Sequence, residues 1–150
     1  MAAVASAAAH DLSSEFREAI PELGATAEDI TFAAAREALG TAAGIYVHFT
    51  ARHRAGFDLI FAAPLQGLGD ESLIDAGRSV MDVLIPPSLA VTGDPLTAIR
   101  LVEQIISSAH GYATLFLSGF YARRSTNVSV FAEEASETAR ALALCASRTQ

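Results

Sequence analysis

Apolar residues recur at helical spacing along almost the whole chain, and short polar or glycine-proline breaks divide it into a series of helices. Val4, Ala8, Leu12, Phe16 and Ile20 repeat every four residues and predict a first helix that closes near Pro21 and Gly24. From Thr26, with Glu28 and Asp29 suited to the positive end of a helix dipole, a long second helix is expected to run to about Arg54. Its stripe is Phe32, Ala35, Leu39, Ala42, Tyr46, Phe49 and His53. Gly40 and Gly44 each weaken that helix by about 1 kcal/mol relative to Ala, which implies a neighbouring helix in close approach. Gly56 then breaks the run, and Phe57, Leu59, Ile60 and Phe61 predict a short buried helix ending at Pro64, followed by a loop from Gln66 to Asp70.

Glu71 to Ile85 is predicted as the next helix, with Leu73, Ile74, Gly77, Val80, Met81 and Leu84 inward. Pro86 and Pro87 each remove an amide donor and are expected to kink or end it, leaving Ser88 to Val91 as a fresh turn. Gly93-Asp94-Pro95 supplies a helix stop, an N-cap and an N1 proline in succession, the sharpest boundary in the chain. A helix is expected from Pro95 to about Tyr121. The last one carries Val128, Phe131, Ala135, Thr138, Leu142 and Cys145 on one stripe, with Glu133, Glu134, Glu137 and Arg140 facing water. No strand signal of any length competes, so the pattern predicts one all-α domain over residues 1–150, an antiparallel bundle of about six helices.

Within that pattern, Gln104 to Ala122 contains no Asp, Glu, Lys or Arg, yet carries Ser107, Ser108, His110, Gly111, Tyr112, Thr114 and Ser118. This is too polar for a membrane span and too apolar for a surface helix. It reads as a helix enclosed on nearly all sides, one face on the home core and another on a ligand cavity or a second subunit.

Composition adds helical bias and sets bounds on function. The chain is 51% hydrophobic but only 7% aromatic, so alanine and aliphatic residues carry the excess. A net charge of −7 repels phosphate, which argues against nucleic acid as a direct partner. All ten basic residues are Arg. The lone Cys145 excludes an internal disulfide, and the N-terminal stretch lacks the layout of an export signal, so a cytoplasmic location is expected.

The chemistry-bearing residues are sparse. His48 and His53 are five apart on different helix faces, His10 lies near the terminus, and no CxxC or HxxxH spacing occurs, so neither a metal nor a cofactor is expected. Nothing resembles a nucleophile elbow or a phosphate-cradling glycine loop, and no enzymatic activity is expected. His110 stands out because an imidazole midway along an uncharged helix needs hydrogen-bond partners: it is either a satisfied core residue or a ligand contact. Gly111 beside it lets a backbone or a ligand come close. Tyr46, Phe49, Phe57, Phe61, Met81 and Phe116 lie on successive helices, either lining one common space or forming plain core.

Three segments, Tyr46-Val47-His48-Phe49-Thr50-Ala51, Arg54-Ala55-Gly56-Phe57-Asp58-Leu59-Ile60-Phe61 and Ala109-His110-Gly111-Tyr112-Ala113-Thr114-Leu115, resemble the C-terminal regulatory domain of TetR-family transcriptional repressors. The likeness is nearest to the subgroup named for a Trp-His-Gly motif. Here Ala109 occupies the Trp position, and Arg54 stands where a proline is common. The resemblance implies a homodimer paired through the last two long helices, a small hydrophobic effector enclosed among the middle helices, and DNA contact only through an N-terminal helix-turn-helix. Only Arg17 is basic before residue 30, and the first helix is similar to the connector that would follow such a reading head, which is therefore expected to be missing from this chain. On this view the ligand candidates are Tyr46, Phe49, Phe61, Met81, Leu84, His110 and Thr114, and the dimer-interface candidates are Tyr112, Leu115, Gly119, Val128, Phe131 and Leu142. A dimerisation or interaction module without ligand is the alternative.

Overall fold

The computed structural model describes residues 2–54 and 71–148. Five α-helices run through them: α1 (Ala2–Ala19), α2 (Phe32–Arg52), α3 (Glu71–Thr92), α4 (Pro95–Leu117) and α5 (Val128–Arg148). Two 3-10 turns, Pro21–Gly24 and Ala27–Asp29, join α1 to α2. No strand occurs among the described residues. The short helix expected around Phe57 to Phe61 and the loop from Gln66 to Asp70 lie outside them, as do the side chains of Leu73 and Ile74.

The second helix starts later than its charge pattern suggests. Ala27–Asp29 forms a separate turn, and Thr31 caps α2 by accepting a hydrogen bond from the Ala34 amide at 3.2 Å. From there α2 becomes the central element, packed against α5, α4 and α3. Its small side chains make this possible: Ala35, Ala38, Gly40, Ala42, Ala43 and Gly44 are all buried, together with Leu39, Tyr46, Val47, Phe49 and Thr50. The expected close approach at the two glycines is against α5. A Cβ on Gly44 would stand 2.6 Å from Ser136 Oγ, and one on Gly40 would stand 2.8 Å from Arg140 Cγ and Nε. Arg140, expected to face water, instead folds across to α2 and reaches Glu37 at 3.1 Å, while Arg36 Nε donates to the Arg140 carbonyl at 3.1 Å.

Helix α1 lies on α3, burying Ala8, Ala9, Leu12, Phe16 and Ile20 while Val4 stays exposed. Between them Ser13 donates to the Ala9 carbonyl at 2.9 Å and accepts from Ser79 at 3.2 Å.

Helix α3 corrects the sequence reading. It runs unbroken through Pro86 and Pro87 to Thr92, so Ser88 to Val91 is helical and not a fresh turn. The prolines remove two amide donors, but Val83, Leu84, Ser88, Val91 and Thr92 are buried along the same stretch, and that packing outweighs the lost bonds. Thr92 Oγ1 donates to the Ser88 carbonyl at 2.9 Å, and Gly93 ends the helix at φ +67°.

The boundary at Gly93-Asp94-Pro95 forms as expected, with Asp94 accepting from the Thr97 amide at 2.8 Å and the Thr97 hydroxyl at 2.7 Å. The far end of α4 comes earlier than the uncharged run suggests. The helix closes at Leu117, Gly119 takes φ +80°, and the Phe120 amide returns to the Leu115 carbonyl at 3.1 Å. No helix of the described residues is long and apolar enough to cross a membrane.

Candidate functional site

The uncharged helix is not enclosed on all sides within one subunit. Ala98, Leu101, Val102, Ile105, Ala109 and Ala113 of α4 turn inward and are buried. The opposite face, from Leu96 and Ile99 through Ser107 to Thr114, Leu115 and Ser118, is exposed. Two regions follow from that division, an inner seam under α4 and an outer face upon it.

The inner seam lies where α1, α2, α3 and α4 meet. Phe16, Ala42, Ala43, Tyr46, Leu84, Ile105, Ile106 and Ala109 surround a narrow apolar space of about 180 Å³, too tight for a water-sized sphere. Next to Ala109, His110 Nδ1 shares a hydrogen bond of 3.0 Å with the Tyr46 hydroxyl, the two rings meeting edge to face at 6.2 Å. Burial pushes the Tyr46 phenol far above its ordinary value of 10.0, so it stays neutral throughout the physiological range. The seam is thus apolar apart from the hydrogen-bonded phenol-imidazole pair at its edge.

Of the ligand candidates, Tyr46 and Leu84 line this seam and His110 borders it. Phe49 is fully buried and stacks on His53 with ring centres 4.3 Å apart. Met81 is half-buried one turn before Leu84 on α3. Thr114 sits on the exposed side of α4 and does not line this seam. Phe61 lies outside the described residues. Phe16, Ala42, Ala43, Ile105, Ile106 and Ala109 were not singled out from sequence; they lie on the stripes of three helices, but their spacing does not say which stripe residues meet.

The outer face is formed by α4 and α5. At the end where α4 begins, Thr97, Arg100, Leu101, Gln104, Leu142, Cys145 and Ala146 border a shallow groove of about 270 Å³. At the other end an aromatic stack forms. Tyr121 lies on Phe131 with ring centres 4.3 Å apart and 11° between planes, Phe116 is 5.6 Å from Phe131, and Tyr112 is 6.3 Å from Tyr121. The Arg124 guanidinium covers Phe131 at 4.9 Å and grips both carboxylate oxygens of Glu134 at 2.6 and 2.9 Å. Thr138 donates to the Glu134 carbonyl at 2.9 Å, so the Tyr112 hydroxyl, 3.3 Å away, donates to Thr138.

Among the interface candidates, Leu115 and Gly119 are exposed, and Tyr112, Val128 and Leu142 are half-buried. Phe131 is the exception. It is fully buried within its own subunit, because the turn after α4 folds Tyr121 and Arg124 over its ring. It supports the outer face from beneath and offers no surface of its own. Phe120, 70% exposed, and Val130, 39% exposed, are the apolar residues beside it that sequence reasoning passed over.

The described residues thus form a helical bundle with a tight apolar seam inside and an uncharged helix face outside. Residues 39–139 match the family model described as tetracyclin repressor-like, C-terminal domain, and the chain belongs to that family. The match places it among the regulatory domains of TetR-type regulators, a family whose members typically dimerise. The comparisons with curated proteins and with solved structures give no match.

Proposed function

We propose that this chain is the effector-sensing and dimerisation domain of a TetR-type transcriptional repressor, acting in the cytoplasm as a homodimer and responding to a small hydrophobic ligand. The observation that carries the reading is the convergence of α1, α2, α3 and α4 on one apolar seam edged by the Tyr46–His110 pair. A seam of this kind suits an apolar molecule with a single polar atom, because the polar side chains at its edge among the described residues are already paired with each other. Ala109, at the position where the resembling subgroup carries Trp, leaves space that a large ring would fill.

The mechanism is a shift of population, with no chemical step. A ligand that wedges between α4 and α1 favours arrangements in which those helices stand further apart, and it moves the equilibrium by its differential affinity alone. Contact with DNA is assigned to a helix-turn-helix element, not to these acidic helices.

A thermal-shift series with apolar and aromatic compounds tests the reading. A ligand at one hundred times its Kd adds about 2.7 kcal/mol of stability, which appears as a rise in the melting midpoint. Ala109→Leu, which narrows the seam, is expected to cancel the rise for compounds that stabilise the parent chain. A panel that leaves the midpoint unmoved contradicts ligand sensing and leaves a dimerisation module without ligand.

A further inference from the structure

Three of the buried hydroxyls are satisfied in the same way: Ser13, Thr50 and Thr92 each donate to the carbonyl four residues earlier, at 2.9 Å in every case. Ser88 has no exposed surface and has the Leu84 carbonyl at the same offset in an unbroken helix, yet its hydroxyl makes no hydrogen bond among the described residues. Leaving a buried hydroxyl unpaired destabilises a fold, and nearly all native ones find a partner. Ser88 thus holds a donor in reserve where a ready acceptor is left unused.

Ser88 stands one turn from the seam. Leu84 lines the seam, and Ser88 follows it on the same side of α3, roughly 6 Å further along the axis. The two-residue connection Gly93-Asp94 joins α3 to α4; Ser88 is nearer to it than Leu84, and His110 is further from it than Ile105. The Tyr46–His110 pair and the Ser88 hydroxyl therefore belong to opposite ends of an apolar wall, one end paired and the other not. No charged side chain lines the seam among the described residues. Pro86 and Pro87, just before Ser88, supply no amides to the carbonyls of Asp82 and Val83, so α3 is least tied to itself along this turn.

We propose that Ser88 is the polar anchor of the seam, its hydroxyl donating to a neutral oxygen of an otherwise apolar effector that lies along Leu84. The proposal rests on the effector-sensing reading above and names the side chain that reads the effector's one polar atom. A carbonyl oxygen suits the site, since it accepts and brings no donor of its own that would need a second partner. A carboxylate or an ammonium is excluded, because it would enter without a counter-charge. The seam is too tight for a water-sized sphere, so the effector has to part the helices, and α3 yields most readily at the prolines beside the anchor. The unpaired hydroxyl then discriminates: a bound ketone gains a hydrogen bond that a hydrocarbon of the same shape does not.

Calorimetric titration of the full chain with two matched pairs tests this, acetophenone against ethylbenzene and indanone against indane, each pair alike in shape and differing in the carbonyl oxygen. Ser88→Ala is expected to keep its helical circular dichroism, because it deletes only the unpaired hydroxyl. It is expected to raise the Kd of each ketone about tenfold while leaving that of each hydrocarbon within about twofold, a split that a change of packing alone does not produce. An equal change for both members of a pair, or no change for either, overturns the anchor and leaves effector sensing standing. Binding by the hydrocarbons alone, or by none of the probes, overturns it as well. A Ser88→Ala chain that loses its helical signal contradicts the unpaired hydroxyl on which the proposal stands. A thermal-shift panel that stays flat for every compound removes effector sensing itself, and the anchor with it.

Discussion

Ser88 has no exposed surface, and its hydroxyl is the one buried side-chain polar atom without a hydrogen-bond partner among the described residues. It sits directly after the two prolines, where the helix has also lost amide donors. Removing an unsatisfied hydroxyl relieves a desolvation cost, so Ser88→Ala is expected to stabilise the fold by about 1 kcal/mol, read from urea unfolding at fixed protein concentration. Asp94 gives a second prediction at this scale. Hydrogen bonds from the Thr97 hydroxyl and then the Thr97 amide hold its carboxyl below the ordinary 3.8. A carboxyl with a lowered folded pKa stabilises above its unfolded pKa and loses that contribution as pH falls through the folded value. Asp94→Ala is therefore expected to melt below the parent chain at neutral pH, with the gap closing as pH drops below 3.8; a gap that persists unchanged into acid contradicts the cap's role.

At the scale of elements, the tightest joint is that of α2 with α5, and its tightness was legible in advance from Gly40 and Gly44. Gly44→Leu is expected to cost about 3 kcal/mol or more, since Ser136 and the Ala132 carbonyl leave no room for a branched side chain, and calorimetry at matched concentration measures it. Gly93-Asp94-Pro95 was equally readable, because cap, stop and N1 proline act locally. The prolines of α3 misled for the opposite reason: their local penalty is real, but burial of Val83, Leu84, Val91 and Thr92 overrides it, and burial is a tertiary fact. Phe131 lies on the apolar stripe and is buried, and the turn that ends α4 at Leu117, which the spacing does not show, is what brings Tyr121 and Arg124 over its ring.

For the molecule as a whole, the family was legible from three short segments, and two of them fall on α2 and α4, which line the seam. The seam's full lining was not. Charged residues normally mark which side of a helix faces water, and between Gln104 and Ala122 there are none, so nothing in the spacing separated Ile105, Ile106 and Ala109, which turn inward, from Thr114 and Leu115, which turn out. In the proposed dimer the same lack of charge suits the outer side to pairing: an exposed helix face with apolar ends and no charge through its middle buries well against a copy of itself. A stable pairing of this kind is expected to bury more than about 1,200 Å² in total. Sedimentation equilibrium of the purified chain over micromolar to nanomolar concentrations is the most direct measurement of this. The account predicts a folded species at twice the 15.7 kDa subunit mass that persists at low concentration, whereas a well-folded 15.7 kDa monomer across the whole range would contradict it.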